Sequence, residues 1–328
     1  METQDGRLKF LLSVARAYYE QGLSQEEIAR GMAISRSQIS RYLSEAREMG
    51  IVQIRVMDPY DRDVTLAEQL TERFKLRTAV VVPVLSRDDA VLIQMIGMAC
   101  ASYVKQAILP GECLCTGCGR SVRASIAAIR SHPIANLTVV QAMGSIGHEA
   151  LNIDFDELTR AAADAFSARA YYVNAPAIMG SGTAADLERA NITIRESLAR
   201  ARAADVFLVG IGSLDRDQLY ARAGLVSQEE LDYLEQRDAV GDICGRFFDI
   251  RGVEVLATFS DRTVGISLRD LVRGRLAIAV AGGREKVMPL RAALCGGWIN
   301  VVVTDDETAR AILALDQDLE GGKPTASH

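Results

Sequence analysis

The sequence predicts an α/β protein in which a small N-terminal winged helix-turn-helix unit precedes a large, doubly wound and mostly parallel sheet. Two helix-start signals lie close together near the N-terminus and are followed by an alternating, strand-like segment. Further along, apolar strand-like segments alternate with helical ones, which is typical of a parallel sheet covered on both faces. With 328 residues, 49% of them hydrophobic, the chain can bury a sizeable core. We therefore predict domains at residues 1–57 and 58–320, with a disordered tail at 321–328.

Two capping boxes define the N-terminal unit. Ser24 is followed three residues later by Glu27, and Ser35 is followed by Gln38, so each pair marks the start of a helix. Between the two helices, residues 32–34 form a turn. Apolar residues at helical spacing allow the two helices to share a small core: Ile28, Ala29, Ile39, Leu43 and Ala46. A first helix with Leu8, Leu11, Leu12, Ala15 and Tyr18 or Tyr19 on one face is expected to pack behind them.

The outer face of the second helix carries polar and basic side chains. Between Ser35 and Leu43 there are two arginines and no acid, and such side chains read base edges or bind phosphate in a DNA major groove. The alternating segment 51–56 suits a wing beside this helix. The alternative is a solvated helical hairpin. The predicted DNA-binding residues are Ser35, Arg36, Ser37, Gln38, Ser40 and Arg41.

The larger domain begins after a proline-containing linker at 58–61. Leu66, Leu70 and Phe74 predict a helix, and the apolar segment 78–85 predicts a strand whose Pro83 favours a sheet edge or a strand end. A long helix over 89–108 is either interior or an oligomer face. The segments that follow alternate between strand and helix: 112–117, 119–130, 136–142, 154–166, 205–213, 276–283, 284–295, 299–305 and 306–315.

Composition limits the class of protein. The net charge is −6, but the excess acid lies in the larger domain, so the overall charge does not argue against DNA binding. The sequence has no apolar run long enough for a membrane helix and no signal-peptide pattern, so we expect a cytoplasmic protein. The six cysteines predict buried thiols. Cys113, Cys115 and Cys118 approach a metal-binding spacing, but no second cluster completes it, so we expect neither a metal nor a cofactor.

Two glycine-containing turns follow predicted strands, at residues 116–121 and 281–286. Ligands of doubly wound sheets bind beyond the carboxyl ends of the strands, and backbone N–H groups at a helix start favour an anion such as phosphate. An ammonium in the first helical turn, as at Lys286, is unfavourable unless an anion is bound there. The turns 210–213 and 144–147 are less informative, and for any single turn tight packing is an equal explanation. Asp242 stands among small and apolar residues, where it either holds sugar hydroxyls or caps a short helix.

The segments 241–252 (GDICGRFFDIRG) and 264–271 (VGISLRDL), with 276–313, resemble the SorC-type regulators, also called sugar-binding DeoR-like regulators. The resemblance implies a winged helix-turn-helix and an effector domain similar to sugar-phosphate isomerases and deaminases. It also implies tetramers on operator DNA that respond to sugar phosphates or related carbohydrates. Cys118 stands where relatives often carry a bulky aromatic residue or Arg, so the sugar and its phosphorylation stay open. By motif position, the effector residues are Thr116, Gly117, Gly119, Arg120, Ser121, Gln141, Asp242, Gly282, Gly283 and Lys286.

Three functions fit these features. The first is a transcription regulator of a carbohydrate or polyol operon, controlled by an effector and not an enzyme. The second is a sugar-phosphate isomerase or deaminase using Asp242, Glu254 and Lys286 as acid–base groups. The third is a constitutive DNA-binding protein with a vestigial pocket. Turnover of sugar phosphates distinguishes the second from the first, and ligand-induced stabilisation distinguishes the first from the third.

Overall fold

The computed structural model describes residues 4–19, 21–49, 51–52, 63–86, 88–146, 155–214, 220 and 223–321. The chain forms two compact units, Met1–Asp58 and Pro59–His328. The predicted linker, most of the predicted wing and nearly all of the predicted tail lie outside the described residues.

The described residues of the first unit form three helices: α1 (Gln4–Tyr19), α2 (Gln25–Gly31) and α3 (Arg36–Glu48). Both predicted capping boxes are present. The Ser24 hydroxyl accepts the backbone N–H of Glu27 while the Glu27 carboxylate accepts that of Ser24, and Ser35 and Gln38 are paired in the same way. Each box supplies acceptors for N–H groups that have no partner inside the helix, which explains why α2 and α3 start where they do.

The core of this unit was predicted correctly for α2 and α3 but only partly for α1. Ile28, Ala29, Ile39 and Leu43 are buried as expected, together with Val14 from α1. Within α1, Leu11 and Ala15 are buried and Tyr18 packs against the core, whereas Leu8 and Leu12 are about 40% exposed, so the predicted apolar face was wrong for those two. Apolar residues lie on more than one side of α1, and spacing alone could not identify the side that faces α3.

Replacing Ser35 by alanine should weaken α3 by about 1 kcal/mol, because its first-turn N–H groups lose their side-chain acceptor. Hydrogen exchange of the full-length protein should show about fivefold faster opening of the α3 amides. Ser40→Ala, an exposed position inside the same helix, serves as the control and should leave exchange unchanged or slower, since alanine has the higher helix propensity. Equal exchange in the two variants would contradict the capping role.

The second unit is built on a seven-stranded sheet in which every pairing is parallel, with strands in the spatial order 78–82, 301–305, 276–280, 206–209, 113–116, 138–141 and 169–171. This confirms the predicted doubly wound, mostly parallel α/β fold. Its strands are β1 (Thr78–Val82), β2 (Cys113–Thr116), β3 (Thr138–Gln141), β4 (Arg169–Tyr171), β5 (Val206–Val209), β9 (Leu276–Val280) and β10 (Val301–Asp305). β1 lies at the sheet edge and ends directly before Pro83, as the proline predicted.

Helices cover both faces of the sheet. Two large clusters of buried side chains form because successive residues of each strand point to opposite faces, which accounts for the continuous apolar strands in the sequence. The helices are α4 (Val64–Phe74), α5 (Asp89–Ala107), α6 (Arg120–Ala128), α7 (Phe155–Phe166), α8 (Ala184–Ala190), α9 (Ile192–Arg202), α10 (Gln228–Glu235), α11 (Leu268–Arg273), α12 (Val287–Cys295) and α13 (Asp306–Gly321).

Helix α5 buries one side against the rest of the second unit and exposes apolar residues on the other, so the alternative of an oligomer face stays open. Eight of its residues are buried, while Val91 and Met98 are partly exposed. A side chain at Gly97 would overlap Ala124 of α6, so glycine permits the close contact of these two helices. Within the described residues, no helix is both long and apolar enough to cross a membrane.

The two ends of the second unit are fastened together. β1 pairs with β10, and the backbone N–H of Asp63 donates to the carbonyl of Val81. Arg310 of α13 lies 3.4 Å from the Asp63 carboxylate. Arg73 of α4 and Arg291 of α12 both contact Asp316 of α13.

A second, antiparallel sheet was not predicted. It consists of β6 (Gly212–Ser213), β7 (Ala239–Ile243) and β8 (Arg246–Asp249), in that order. Because β6 has only two residues and β7 contains glycine and aspartate, neither has the composition that usually marks a strand. This small sheet holds Asp242 and places it directly opposite Gly212.

Candidate functional site

Three neighbouring strands of the large sheet bring the glycine-containing turns together. β5 lies between β2 and β9, so the turns after these strands emerge side by side at their carboxyl ends. The parallel strand that follows β2 is β3, its neighbour toward one edge of the sheet. The parallel strand of this sheet that follows β5 is β9, its neighbour toward the opposite edge. Such a reversal of strand order opens a crevice in which doubly wound sheets bind ligands.

The turn after β2 is built for close backbone approach. Gly117 is packed so tightly that an added Cβ would lie 3.2 Å from both Cys244 Sγ and a methyl group of Val209. Gly119 has φ 127°, which disfavours other residues, and it starts α6 without a side-chain cap. Arg120 is exposed at the first position of the helix, and Ser121 is partly buried beside it. Uncapped N–H groups together with a guanidinium and a hydroxyl can bind an anion.

The turn after β9 has a similar design. Gly283 has φ 97° and also starts a helical turn, at 284–286, without a side-chain cap. Its own N–H donates to the Asp305 carboxylate and to the Thr308 hydroxyl, both at 2.9 Å. An added Cβ at Gly282 would overlap Asp305, so glycine is needed for this approach. The turn is held by the end of β10 and the start of α13.

Two side-chain contacts join the turns. Arg120 in the first lies 3.5 Å from Glu285 in the second, and both side chains are about half exposed. The Nζ of Lys286 donates to the hydroxyl of Ser213 at 3.2 Å, which connects the β9 turn with the turn after β5. The structure therefore brings the turns 116–121, 210–213 and 281–286 into one group, although the sequence had marked the middle one as less informative.

Asp242 is the buried carboxylate of this group. It lies in β7, so the alternative that it caps a helix is wrong. Its Oδ2 accepts the Tyr220 hydroxyl at 3.1 Å and the Gly245 N–H at 2.9 Å. Burial raises the pKa of Asp242, while the Gly245 N–H, the Tyr220 hydroxyl and the ammonium of Lys286 oppose that rise. The buried Asp242 and the partly buried Lys286 thus interact electrostatically, and together they can hold hydroxyl groups or negative charge.

Replacing Gly212 by alanine should damage this centre, because a Cβ would overlap Oδ1 of Asp242. Overpacking of this kind costs ~1–3 kcal/mol, and the displaced carboxylate would lose its bond to Tyr220 or Gly245. Urea denaturation should show a lower midpoint with an unchanged slope. Gly180→Ala is the matched control, because its added Cβ would meet nothing within 4 Å. If Gly212→Ala were as stable as the wild type, the close approach of Gly212 to Oδ1 of Asp242 would not require glycine.

Thr116 and Gln141 lie at the ends of β2 and β3, opposite each other in register, and both are buried. The Thr116 hydroxyl contacts Thr159, whereas the Gln141 amide donates to Ser145 and its oxygen accepts the N–H of Val173. At about 4.8 Å per strand, β3 lies roughly 14 Å from β9. Gln141 therefore lies at one margin of the group of turns, and its side-chain amide is hydrogen-bonded within the protein, to Ser145 and Val173.

Three of the cysteines lie near this centre. Burial raises the pKa of the Cys244 thiol to about 12 and also raises the pKa values of Cys115 and Cys118. Thiols with such values are weak nucleophiles at neutral pH. Within the described residues, no three His, Cys, Asp or Glu side chains are grouped as metal ligands.

Comparison with known proteins identifies the family. Residues 58–314 match the family described as "putative sugar-binding domain". The chain is 32% identical over 302 residues to the deoxyribonucleoside regulator of Bacillus subtilis, covering 92% of this chain and 96% of that protein. It is also 32% identical over 326 residues to the sorbitol operon regulator of Klebsiella pneumoniae, covering 95% of this chain and all of the relative. This chain belongs to the SorC-type family of sugar-binding transcriptional regulators.

The fold agrees with solved SorC-type structures. The crystal structure of the full-length sorbitol operon regulator SorC from Klebsiella pneumoniae matches with a TM-score of 0.70 and 31% identity, covering 95% of this chain and 100% of that chain. A DeoR family regulator from Listeria monocytogenes matches with a TM-score of 0.68 and 26% identity, over 76% of this chain and 98% of that chain. The resemblance inferred from residues 241–252, 264–271 and 276–313 is therefore confirmed.

In the first unit of this SorC-type chain, α3 presents most of the predicted DNA-binding residues to solvent. Arg36, Ser37, Ser40 and Arg41 are exposed. Ser35 and Gln38 are used by the capping box, so their side chains fix the start of the helix. The face opposite the buried Ile39 and Leu43 is thus polar and basic, as a helix that enters a major groove requires.

Sequence reasoning missed three residues that hold the site, Tyr220, Asp305 and Thr308, and it marked the turn that contains Ser213 as less informative. The pair Asp305 and Thr308 had a detectable signal, since an Asp at a strand end followed three residues later by Thr is an N-terminal helix signature, and the Thr308 N–H does donate to Asp305. Ser213 and Tyr220 had no such signal. The side chains reach Lys286 and Asp242 through the tertiary fold, which spacing along the chain does not reveal.

Proposed function

We propose that this SorC-type protein is a DNA-binding regulator of a carbohydrate or polyol catabolic operon, and that a phosphorylated sugar or polyol changes its affinity for operator DNA. The observation that carries the proposal is the group formed by Lys286, Asp242 and the two uncapped glycine turns at the point where strand order reverses. Uncapped helix starts and a lysine suit a phosphate, and a buried carboxylate suits hydroxyl groups.

In this proposal, residues 1–57 bind double-stranded DNA through α3, and residues 58–320 bind the effector and form the oligomer, a tetramer. Family relatives include regulators named for the sorbitol operon and for deoxyribonucleosides, which supports a sugar or polyol as the ligand class. The protein would act in the cytoplasm, where its operator lies. The coupling between sites equals the difference in effector affinity between two states of the protein, commonly ~1–3 kcal/mol.

The test is a gel-shift assay on DNA upstream of the operon that contains the gene, with matched pairs of a free and a phosphorylated compound: glucitol with glucitol 6-phosphate, and deoxyribose with deoxyribose 5-phosphate. We expect a phosphorylated member to change operator affinity at concentrations where its free partner does nothing. If neither DNA binding nor ligand binding were detected, the proposal would be wrong.

One observation keeps an enzymatic function as a second candidate. A carboxyl group with a raised pKa next to a lysine is an arrangement that enzymes use for proton transfer. Glu254, the third acid–base candidate from the sequence, pairs through its backbone with Phe248 and acts electrostatically on Arg246. Turnover of the phosphorylated compounds by the purified protein would favour the enzyme over the regulator.

A further inference from the structure

Helix α3, the proposed DNA-binding helix, carries an acid close to its basic residues. Glu45 lies four residues after Arg41, so the two side chains are neighbours on one side of the helix. A carboxylate at this spacing attracts the guanidinium of Arg41 and competes for it with the phosphates and bases of DNA. Glu45 therefore works against DNA binding unless another group holds its carboxylate.

Arg7 of α1 holds the Glu45 carboxylate. Its Nε donates to Oε1 and its Nη2 donates to Oε2, each at 2.8 Å, so both oxygens accept a bond from one planar guanidinium. The hydrogen bonds from Arg7 are the main cause that lowers the pKa of Glu45, and the charge of Arg41 lowers that pKa further. Two parallel charge-assisted bonds are stronger than a helical pair in which the base precedes the acid, so Arg7 outcompetes Arg41 for Glu45.

Arg41 itself is left without such a partner. In the described part of the chain its side chain makes no hydrogen bond and no salt bridge, and its guanidinium carbon lies 5.9 Å from the centre of the Tyr42 ring. Tyr42 in turn packs edge to face on Phe10 of α1, with ring centres 5.1 Å apart. Helix α1 thus contacts two neighbours of Arg41, Tyr42 and Glu45, while Arg41 stays exposed.

We propose that Arg7 is a positioning residue for DNA recognition: it keeps Glu45 from pairing with Arg41 and so leaves the Arg41 guanidinium free to contact operator DNA. Arg7 acts through Glu45 and needs no DNA contact of its own. This inference rests on the proposed function, and it adds a residue outside α3 to those that determine operator affinity.

The test is a set of operator titrations with the full-length protein. Arg7→Met should weaken operator binding about two- to fivefold, because Glu45 then pairs with Arg41 and an exposed ion pair of this kind is of modest strength. Glu45→Gln breaks the same bridge from the other side but removes the competing acid, so it should bind operator DNA at least as tightly as the wild type. Arg195→Met, at an exposed position of α9 in the second unit, is the control for loss of a surface charge and should bind as wild type.

The double variant Arg7→Met/Glu45→Gln separates the positioning role from its rivals. Without the acid, Arg7 has nothing to restrain, so adding Arg7→Met to Glu45→Gln should leave operator affinity unchanged. A direct contact of Arg7 with DNA, or a long-range effect of its charge, would lower affinity by the same factor in both backgrounds and would overturn the proposal. A bridge that merely stabilised the packing of α1 on α3 would make Glu45→Gln as weak as Arg7→Met, which would overturn it too.

A crystal structure of the Arg7→Met protein distinguishes this inference from the proposed function. We expect the Glu45 carboxylate to lie within about 4 Å of the Arg41 guanidinium in that variant. A Glu45 side chain that stayed away from Arg41 would refute the positioning role even if operator binding were normal. If the wild-type protein failed to bind operator DNA, the proposed function would be wrong and the role in DNA recognition would fall with it, whereas the crystal structure would still show whether Arg7 restrains Glu45.

Discussion

Replacing Arg41 by alanine is expected to lower operator affinity by about five- to 150-fold, because a direct arginine contact to a base edge contributes ~1–3 kcal/mol. Arg41 is exposed on α3, and its contacts within the protein are weak: its guanidinium carbon lies 5.9 Å from the centre of the Tyr42 ring. Its loss should therefore leave folding nearly unchanged. Titration of operator DNA at several salt concentrations measures the effect and separates a base contact from a phosphate contact. A phosphate contact would weaken binding equally on all sequences and reduce the salt slope by about one.

The control for Arg41→Ala is Arg195→Ala, which removes the same charge from an exposed position on α9 in the second unit. This variant should bind operator DNA with wild-type affinity, and both variants should still respond to the effector. Unchanged operator affinity in Arg41→Ala would mean that another face of α3 enters the groove.

Replacing Lys286 by methionine is expected to abolish the effector response while sparing DNA binding. Methionine keeps most of the side-chain volume but removes the ammonium that contacts Ser213 and lowers the pKa of Asp242. Loss of a charged partner in a partly buried site costs ~1.5–3 kcal/mol, so effector affinity should fall by at least tenfold and by more for a doubly charged phosphate. Thermal shift with the phosphorylated compound gives the affinity, and the gel shift gives the response.

Lys105→Met on α5 provides the comparison, since it removes a lysine from a helix surface away from the three turns. It should respond to the effector as wild type does. An effector that acted on Lys286→Met at its usual concentration would refute the phosphate site and leave Asp242 as the residue to test next.

The large parallel sheet and the two capped helices could be predicted because their signals are local. The boxes at Ser24 and Ser35 depend on residues three positions apart, and buried strands such as β9 and β10 are continuous apolar segments. The predicted boundaries of these elements were accurate to a few residues. The glycine-containing turns also indicated that these segments meet at the carboxyl ends of the strands, where the structure groups them.

The features that could not be predicted depend on contacts between distant parts of the chain. The antiparallel sheet β6-β7-β8 forms because Gly212 allows Asp242 to approach, and this pairing joins segments thirty residues apart. The exposed side of α1 is decided by α3, not by the spacing within α1 itself. The role of Ser213 becomes apparent once Lys286 is placed beside it by the sheet order β5-β9. Local patterns contain no information on such pairings.

The pairing of β1 with β10 makes the start of the second unit depend on residues that are synthesised more than 200 positions later. Asp63 and Arg73, near the entrance to the second unit, are bonded to Arg310 and Asp316 of the final helix. Residues 301–305 must therefore be synthesised before β1 acquires its neighbour in the sheet, and a frameshift upstream of Arg310 would remove the partners of Asp63 and Arg73. For the same reason, this unit is suited to circular permutation. A short linker would join its first and last segments, and new termini would be opened in another loop.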